Sequence, residues 1–522
     1  MRRTTAIGAM VVLAATTLVS ASGAAAAPLA APAAAPAPTI VWGACPAGYP
    51  AGLECSTVTT PLNYAKPSGA TLKIAVSRAK ATGTPAERQG VMLVNRGGPG
   101  GTGVAYATSV QRRLPDAVKK AYDVIGFDPR GVGLSAPVYC VDPAEFYTAP
   151  ARDTVPKSAI DLAINTGRAA TYAEGCLTKN GSDIRHFNTA NTARDMDRIR
   201  TALGEKQINY LGYSYGTYLG ATYATLFPKQ SRRFVLDSAV DPTGVWYRDN
   251  QDQNVAFEAS FKEFTKWVAK YDAIYHLGNT ASKVSKAWYG ARASLKAKPA
   301  GGVLGATEFE NIAVGSMYGD AAWPDLAAAI GAYVNGGDAA GLLAQYGPTD
   351  LAGENSTAMY TTVECNDAPW PHDLNRWYKD AAKQYQKYPF LTWNNTWFNM
   401  ACAFWPYSAK SVPKVGGKNL PNILIVSATG DAATPYAGAK TLHRELRGSR
   451  LVTVTGNFNH GQFLYEQNPC TDGHGSKYLL TGALPKNDVS CVGNPHPTPT
   501  AATARGAAKS KVSADELPAR IR

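Results

Sequence analysis

The chain has 522 residues, 45% of them apolar and 17% charged, and a formal net charge of +13. It is long enough for a large core or for two domains, and its composition is that of a globular protein. No basic block is interleaved with aromatics, so nucleic acid is a poor partner. The positive balance is left to solubility and to mild attraction of acidic partners.

Residues 1–27 read as a secretory signal. Arg2 and Arg3 precede an apolar run from Ala6 to Val19, and small residues follow to Ala27. The run is short for a membrane span and has no Cys near its end to take a lipid. No later stretch is apolar enough to cross a membrane. Residues 28–39 are nearly all Ala and Pro and cannot bury a core, so a disordered linker or pro-segment is expected. The reading is a secreted, extracellular protein with no stable membrane association. Its oligomeric state stays open, with a monomer as the expectation.

Eight cysteines behind an export signal argue for disulfides over metal sites. Their grouping points to neighbours pairing: Cys45–Cys55, Cys140–Cys176, Cys365–Cys402 and Cys470–Cys491. The sequence alone does not choose among the possible connectivities.

Cys45 to Val76 is expected to supply short entry strands, with Thr71–Val76 alternating as an edge strand does. Val91–Asn95 is a continuous apolar run, the mark of a buried parallel strand. It ends in the glycine cluster Gly97 to Gly103. Asp123–Asp128 is another buried strand, followed by a loop in which Asp128 and Arg130 are expected to pair. Thr192 to Leu203 has helical spacing. Ile208 runs as a strand into Gly212-Tyr213-Ser214-Tyr215-Gly216, and a helix follows from Thr217 to Phe227. Strand, G-x-S-x-G and helix in that order make a nucleophile elbow, a turn so tight that only glycine fits two residues either side of the serine. Arg233–Asp237 is the next strand. Strands and helices therefore alternate, as in an α/β protein with a parallel sheet.

From Val245 to about Lys414 the pattern is helical and rich in aromatics. Phe257, Phe261, Phe264 and Trp267 recur at helical spacing, which predicts core packing rather than a substrate box. Sheet character returns at Asn422–Ser427 and Arg450–Val454.

A serine nucleophile needs a base, and the base needs an orienting acid. His460 follows the last strand, in Asn457-Phe458-Asn459-His460-Gly461. His186, His276, His372, His443, His474 and His496 fall in predicted helix, cap or tail. Asp431 follows the preceding strand and is preferred as the acid; its rival is Asp237, also at a strand end. Ser214, Asp431 and His460 then stand in the order expected of a serine hydrolase on such a sheet. The backbone N–H groups of Tyr215 and Gly98 are the expected oxyanion hole. This chemistry needs neither metal nor organic cofactor.

Several stretches carry a family resemblance: Asn95–Gly103, Gly126–Gly133, Asn191–Asp195, Asn209–Ala221, Asp431–Pro435 and the segment with Cys470 and Cys491. Together they resemble the secreted tripeptidyl aminopeptidases of actinomycetes, a branch of the α/β-hydrolase peptidases that also holds prolyl aminopeptidases. Two departures are Arg96, where the family usually has Pro, and Asn457–Asn459, where small residues are commoner.

The resemblance implies an α/β-hydrolase fold with a mostly parallel sheet and an inserted helical cap. It would be built as core residues 40–244, cap 245–414, core 415–495 and a flexible tail 496–522. It also implies release of tripeptides, or tetrapeptides, from free N-termini, with Pro or Ala before the cleaved bond. Such an exopeptidase needs a carboxylate for the substrate's α-ammonium. Glu364 and Asp367, in a loop from Val363 to Pro369, are the candidates. Trp370, Trp393, Trp397 and Trp405 are candidate walls for a proline pocket. The Ala/Pro segment resembles an N-terminus that such an enzyme trims, its own included. The rival readings are a prolyl aminopeptidase, an esterase or acylase on the same machinery, and a non-catalytic binding protein on a hydrolase scaffold.

Overall fold

The computed structural model describes residues 40–500; the expected signal 1–27, the Ala/Pro segment 28–39 and residues 501–522 of the tail lie outside them. The strands are β1 (Gly43–Ala44), β2 (Glu54–Pro61), β3 (Thr71–Ala79), β4 (Val91–Asn95), β5 (Asp123–Phe127), β6 (Ile208–Tyr213), β7 (Ser231–Asp237), β8 (Ile423–Ala428), β9 (Arg450–Thr455) and β10 (Val489–Val492). They form one sheet in the order β1-β2-β3-β5-β4-β6-β7-β8-β9-β10. β1, β2, β3 and β5 pair antiparallel; from β5 to β10 every pairing is parallel. Helices cover the parallel part, and β4, β5, β6 and β8 are buried at every position. That burial on both faces is why these strands read as mainly apolar runs without alternation. The fold is that of an α/β-hydrolase.

Register sets the working edge. Asn95 lies opposite Gly212, and Tyr213 opposite Asp237, so β4, β6 and β7 end side by side. β8 and β9 continue the row, with Ala428 opposite Val454. Loops leaving these five ends share one rim.

Between β7 and β8 the chain is helical from Tyr247 to Phe404, apart from an isolated bridge between Ala300 and Leu304. Phe257, Phe261, Phe264 and Trp267 are buried in its core, with Phe261 stacked on Phe390 at 4.4 Å. The disulfides join Cys45 to Cys55, Cys140 to Cys176, Cys365 to Cys402 and Cys470 to Cys491, the neighbour pairing. They fit an oxidising compartment. No helix among the described residues is long and apolar enough to cross a membrane.

Three local expectations are corrected. β3 is not an edge strand: it lies between β2 and β5, and its alternation fades where its second half is buried. Asp128 and Arg130 do not pair. Buried Arg130 makes a two-pronged contact with Asp195 at 2.6 and 2.7 Å, a geometry that suits a planar guanidinium. Asp128 instead accepts the N–H groups of Gly103, Val104 and Leu134, anchoring the end of the glycine cluster. Nor does the tail start free at residue 496. His496 Nδ1 meets Asp320 Oδ2 at 2.8 Å, and Trp267 donates to the carbonyl of Pro497.

Candidate active site

The elbow forms where β6 ends. Ser214 has φ 57° and ψ −129°, a strained conformation that lifts its side chain clear of strand and helix. The two flanking glycines permit the turn. A Cβ on Gly212 would lie 2.6 Å from the carbonyl oxygen of Gly216, and one on Gly216 would lie 2.7 Å from that of Asn95. The elbow helix runs from Tyr215 to Leu226, so its N-terminus stands directly behind Ser214. The glycine loop after β4 presses on the same turn: a Cβ on Gly97 would come within 2.8 Å of Ser214 Cβ and 3.0 Å of the Tyr215 nitrogen. Gly98, Ser214 and Tyr215 share the wall of one cavity of about 360 Å³.

The loops after β8 and β9 bring Asp431 and His460 together. His460 Nδ1 lies 2.9 and 3.0 Å from the two Asp431 oxygens. Asp431 also accepts the N–H groups of Ala433 and Thr434 and the Thr434 hydroxyl. The contact with this carboxylate fixes the imidazole with Nδ1 as the proton-bearing nitrogen, leaving Nε2 as the acceptor nitrogen. Burial pulls the His460 pKa down, but the charge and hydrogen bond of Asp431, with help from Asp237, lift it above the ordinary histidine value.

The rival Asp237 has a different task. Its Oδ2 accepts the N–H groups of Gln462 and Phe463, and its backbone carbonyl takes the N–H of Ser214. One residue thus ties the elbow to the histidine loop. Burial raises its pKa to about 7, against the pull of those two N–H bonds. His460 N–H donates to the Tyr318 carbonyl, and the Asn459 amide donates to Asp320. The loop is therefore held from the sheet on one side and from the helical insertion on the other. No hydrogen bond joins Ser214 to the imidazole among the described residues. Nucleophile–base contacts are often long without substrate and tighten when it binds.

Glu364 lies in the same cavity as Ser214, but on the helix Leu351–Asp367 rather than on a loop. Its Oε2 accepts from the Asn250 amide at 3.1 Å. Asp367 does not reach the cavity. Three positions on, it is turned away and buried against Thr189, whose N–H and hydroxyl both donate to it. Burial raises its pKa to about 7. Trp370, Trp393, Trp397 and Trp405 line other parts of the insertion; the tryptophan in the cavity wall is Trp246, with its ring 6.0 Å from that of Tyr215.

Sequence reasoning missed Asp249. It lines the cavity, and its buried Oδ2 has no hydrogen-bond partner among the described residues. Burial pushes its pKa well up, and the charges of Asp241, Asp252 and Glu364 add to that, against Arg248. An acidic residue in the first turn of a helix usually answers the helix dipole, so nothing local marked it.

Comparison with known proteins settles the family. Residues 388–491, which carry Asp431 and His460, match the family model described as TAP-like protein. The tripeptidyl aminopeptidase of Streptomyces lividans is 46% identical over 473 residues, covering 88% of this chain and 87% of that protein. The chain belongs to the tripeptidyl aminopeptidase family of α/β-hydrolases. It is an enzyme, a serine hydrolase of the peptidase kind. Family members carry other names too. The serine protease Hip1 of Mycobacterium tuberculosis H37Rv is 30% identical over 85% of this chain and 88% of its own length. Carboxylesterase B of the same strain is 32% identical over 84% of this chain and 86% of its own.

Proposed function

We propose that the protein is a secreted exopeptidase that releases tripeptides from free N-termini, with Ser214, His460 and Asp431 as its catalytic triad. Ser214 Oγ attacks the scissile carbonyl while His460 Nε2 takes its proton; Asp431 steadies the imidazolium. The N–H groups of Tyr215 and Gly98 hold the oxyanion, each contact contributing about 3 kcal/mol in such sites. The imidazolium then protonates the leaving amine, and water attacks the acyl-enzyme by the reverse route. Release of the N-terminal peptide restores Ser214.

One observation carries the tripeptide reading. Asp249 and Glu364 stand in the same cavity as Ser214, and Asp249 keeps a buried carboxylate oxygen without a donor. An α-ammonium supplies the charge and the N–H donors that this oxygen lacks. The cavity, about 360 Å³, is near the lower end of the usual range for ligand sites, which suits a short segment rather than a long chain. The largely apolar wall around Trp246 and Val240 favours Pro or Ala beside the cleaved bond. Export through residues 1–27 agrees with the four disulfides.

A four-substrate panel tests this. Ala-Ala-Pro-anilide should be cleaved and its N-acetyl form spared. Preference for Pro-anilide would make the enzyme a prolyl aminopeptidase. Cleavage of a nitrophenyl ester alone would favour an esterase, a reading kept open by the relative named carboxylesterase.

A further inference from the structure

A second cavity, of about 660 Å³, lies behind the wall of the first. The helix Leu351–Asp367 separates them: Tyr360 and Glu364 line the catalytic cavity, whereas Thr357 and Thr361 line the second. The rings of Tyr360 and Phe398, 4.9 Å apart, complete the partition. The two cavities share no lining residue. No step proposed above uses the second one.

Its walls are largely apolar, with Ile164, Val314, Trp397 and Phe398 among them. Tyr147 and Tyr172 add ring surface only, because both hydroxyls donate to the buried Glu354. Asn165 differs. It is only 8% exposed, it lines the cavity, and its Nδ2 has no partner among the described residues. A buried donor left unmatched destabilises the protein until an acceptor meets it. Arg168 stands one turn on, at the same helix face; its guanidinium lies 3.8 Å over the Phe146 ring with one N–H on the Phe146 carbonyl. Of the two lining arginines, Arg152 pairs with Asp161 at 3.1 Å, which leaves Arg168 as the cation without a carboxylate partner among the described residues; the one lining carboxylate is Glu145. On the same helix, Ile160 is 70% exposed and Ile164, in the lining, 42%, an apolar approach from solvent.

We propose that this cavity is a second ligand site, separate from the catalytic one, that takes a small apolar carboxylate. The carboxylate accepts from the Asn165 amide and the Arg168 guanidinium, and the apolar body lies along Ile164, Val314, Trp397 and Phe398. A fatty acid has this chemistry, and so does a short apolar peptide with its free C-terminus.

Calorimetric titration of the full-length protein with sodium dodecanoate below its micelle concentration tests the site. Dodecanoate should bind one per chain, and equally well after Ser214 has been capped by a sulfonyl fluoride. Asn165→Leu, which keeps the packing and removes the amide, should weaken binding by about tenfold or more, the usual loss for a hydrogen bond to a charged group. Arg168→Gln changes an exposed residue and leaves the fold intact; it should weaken dodecanoate and leave dodecanol unchanged. Activity on Ala-Ala-Pro-anilide should survive both substitutions. Competition by the tripeptide Ala-Ala-Pro on the capped enzyme would identify peptide C-termini as the ligand source; no competition would identify fatty acids. Absence of dodecanoate binding, loss of binding on capping Ser214, or indifference to both substitutions would each overturn the proposal.

Discussion

The rim of the sheet and the helical insertion between β7 and β8 hold their functional groups in different ways. On the rim, Ser214, Asp431 and His460 each sit within a few residues of a strand end, and short backbone contacts fix them. In the insertion, Asp249 and Glu364 come from helices more than a hundred positions apart, and only packing brings them to one cavity. On the proposed function, the chemistry is thus written in local turns, and the choice of substrate in tertiary packing. The two regions meet at the histidine loop, where Tyr318 and Asp320 of the insertion hold His460 and Asn459.

The largest effect should separate the two rim carboxylates. Asp431→Asn should lower kcat by about 10⁴-fold, because the amide no longer fixes the tautomer. Asp237→Asn keeps a carbonyl for the two N–H groups it serves, so its loss should stay within about tenfold. The reverse ranking would make Asp237 the catalytic acid. Next come the insertion carboxylates. Asp249→Asn and Glu364→Gln should each cut kcat/KM on a free tripeptide anilide by about 10–100-fold, chiefly through KM, as when a charge-assisted hydrogen bond is lost. A nitrophenyl ester should be turned over as before. If ester and peptide fall together, the insertion serves the chemistry as well as selection.

A smaller change probes the junction. Asn459→Ala removes the tie to Asp320 and should lower kcat by about tenfold with KM steady, since a displaced base works poorly. Unchanged kcat would mean that the sheet alone positions His460. The smallest effect is in pH. His460 must be neutral to accept a proton, and Asp431 favours its charged form, so the acid limb of kcat should have its midpoint above the ordinary histidine value of 6.5. Asp431→Asn should move what activity remains toward lower pH. A midpoint at or below 6.5 in the parent enzyme would contradict the close His460–Asp431 contact.

Much of the rim was legible in the sequence for the same reason that it is locally built. The glycines at 212 and 216 admit one turn, and Val91–Val94 and Ile423–Val426 are apolar throughout because both their faces are covered. The cysteines were readable because each pairs with a neighbour along the chain. What could not be read lay in packing. Glu364 and Asp367 look alike as sequence, yet three positions on a helix turn one into the cavity and the other toward Thr189. Arg130 looked like a partner for Asp128, but its match is Asp195, 65 positions away. Asp249 carried no local sign at all. The second cavity is of the same kind, assembled from five separate stretches of chain between Glu145 and Ala401.

The most direct test of the central claim is covalent labelling with a fluorophosphonate, followed by peptide mapping. The account predicts a single modified residue, Ser214, and labelling that becomes very slow in His460→Ala. Modification at another residue, or labelling of Ser214 at an unchanged rate without His460, would contradict it.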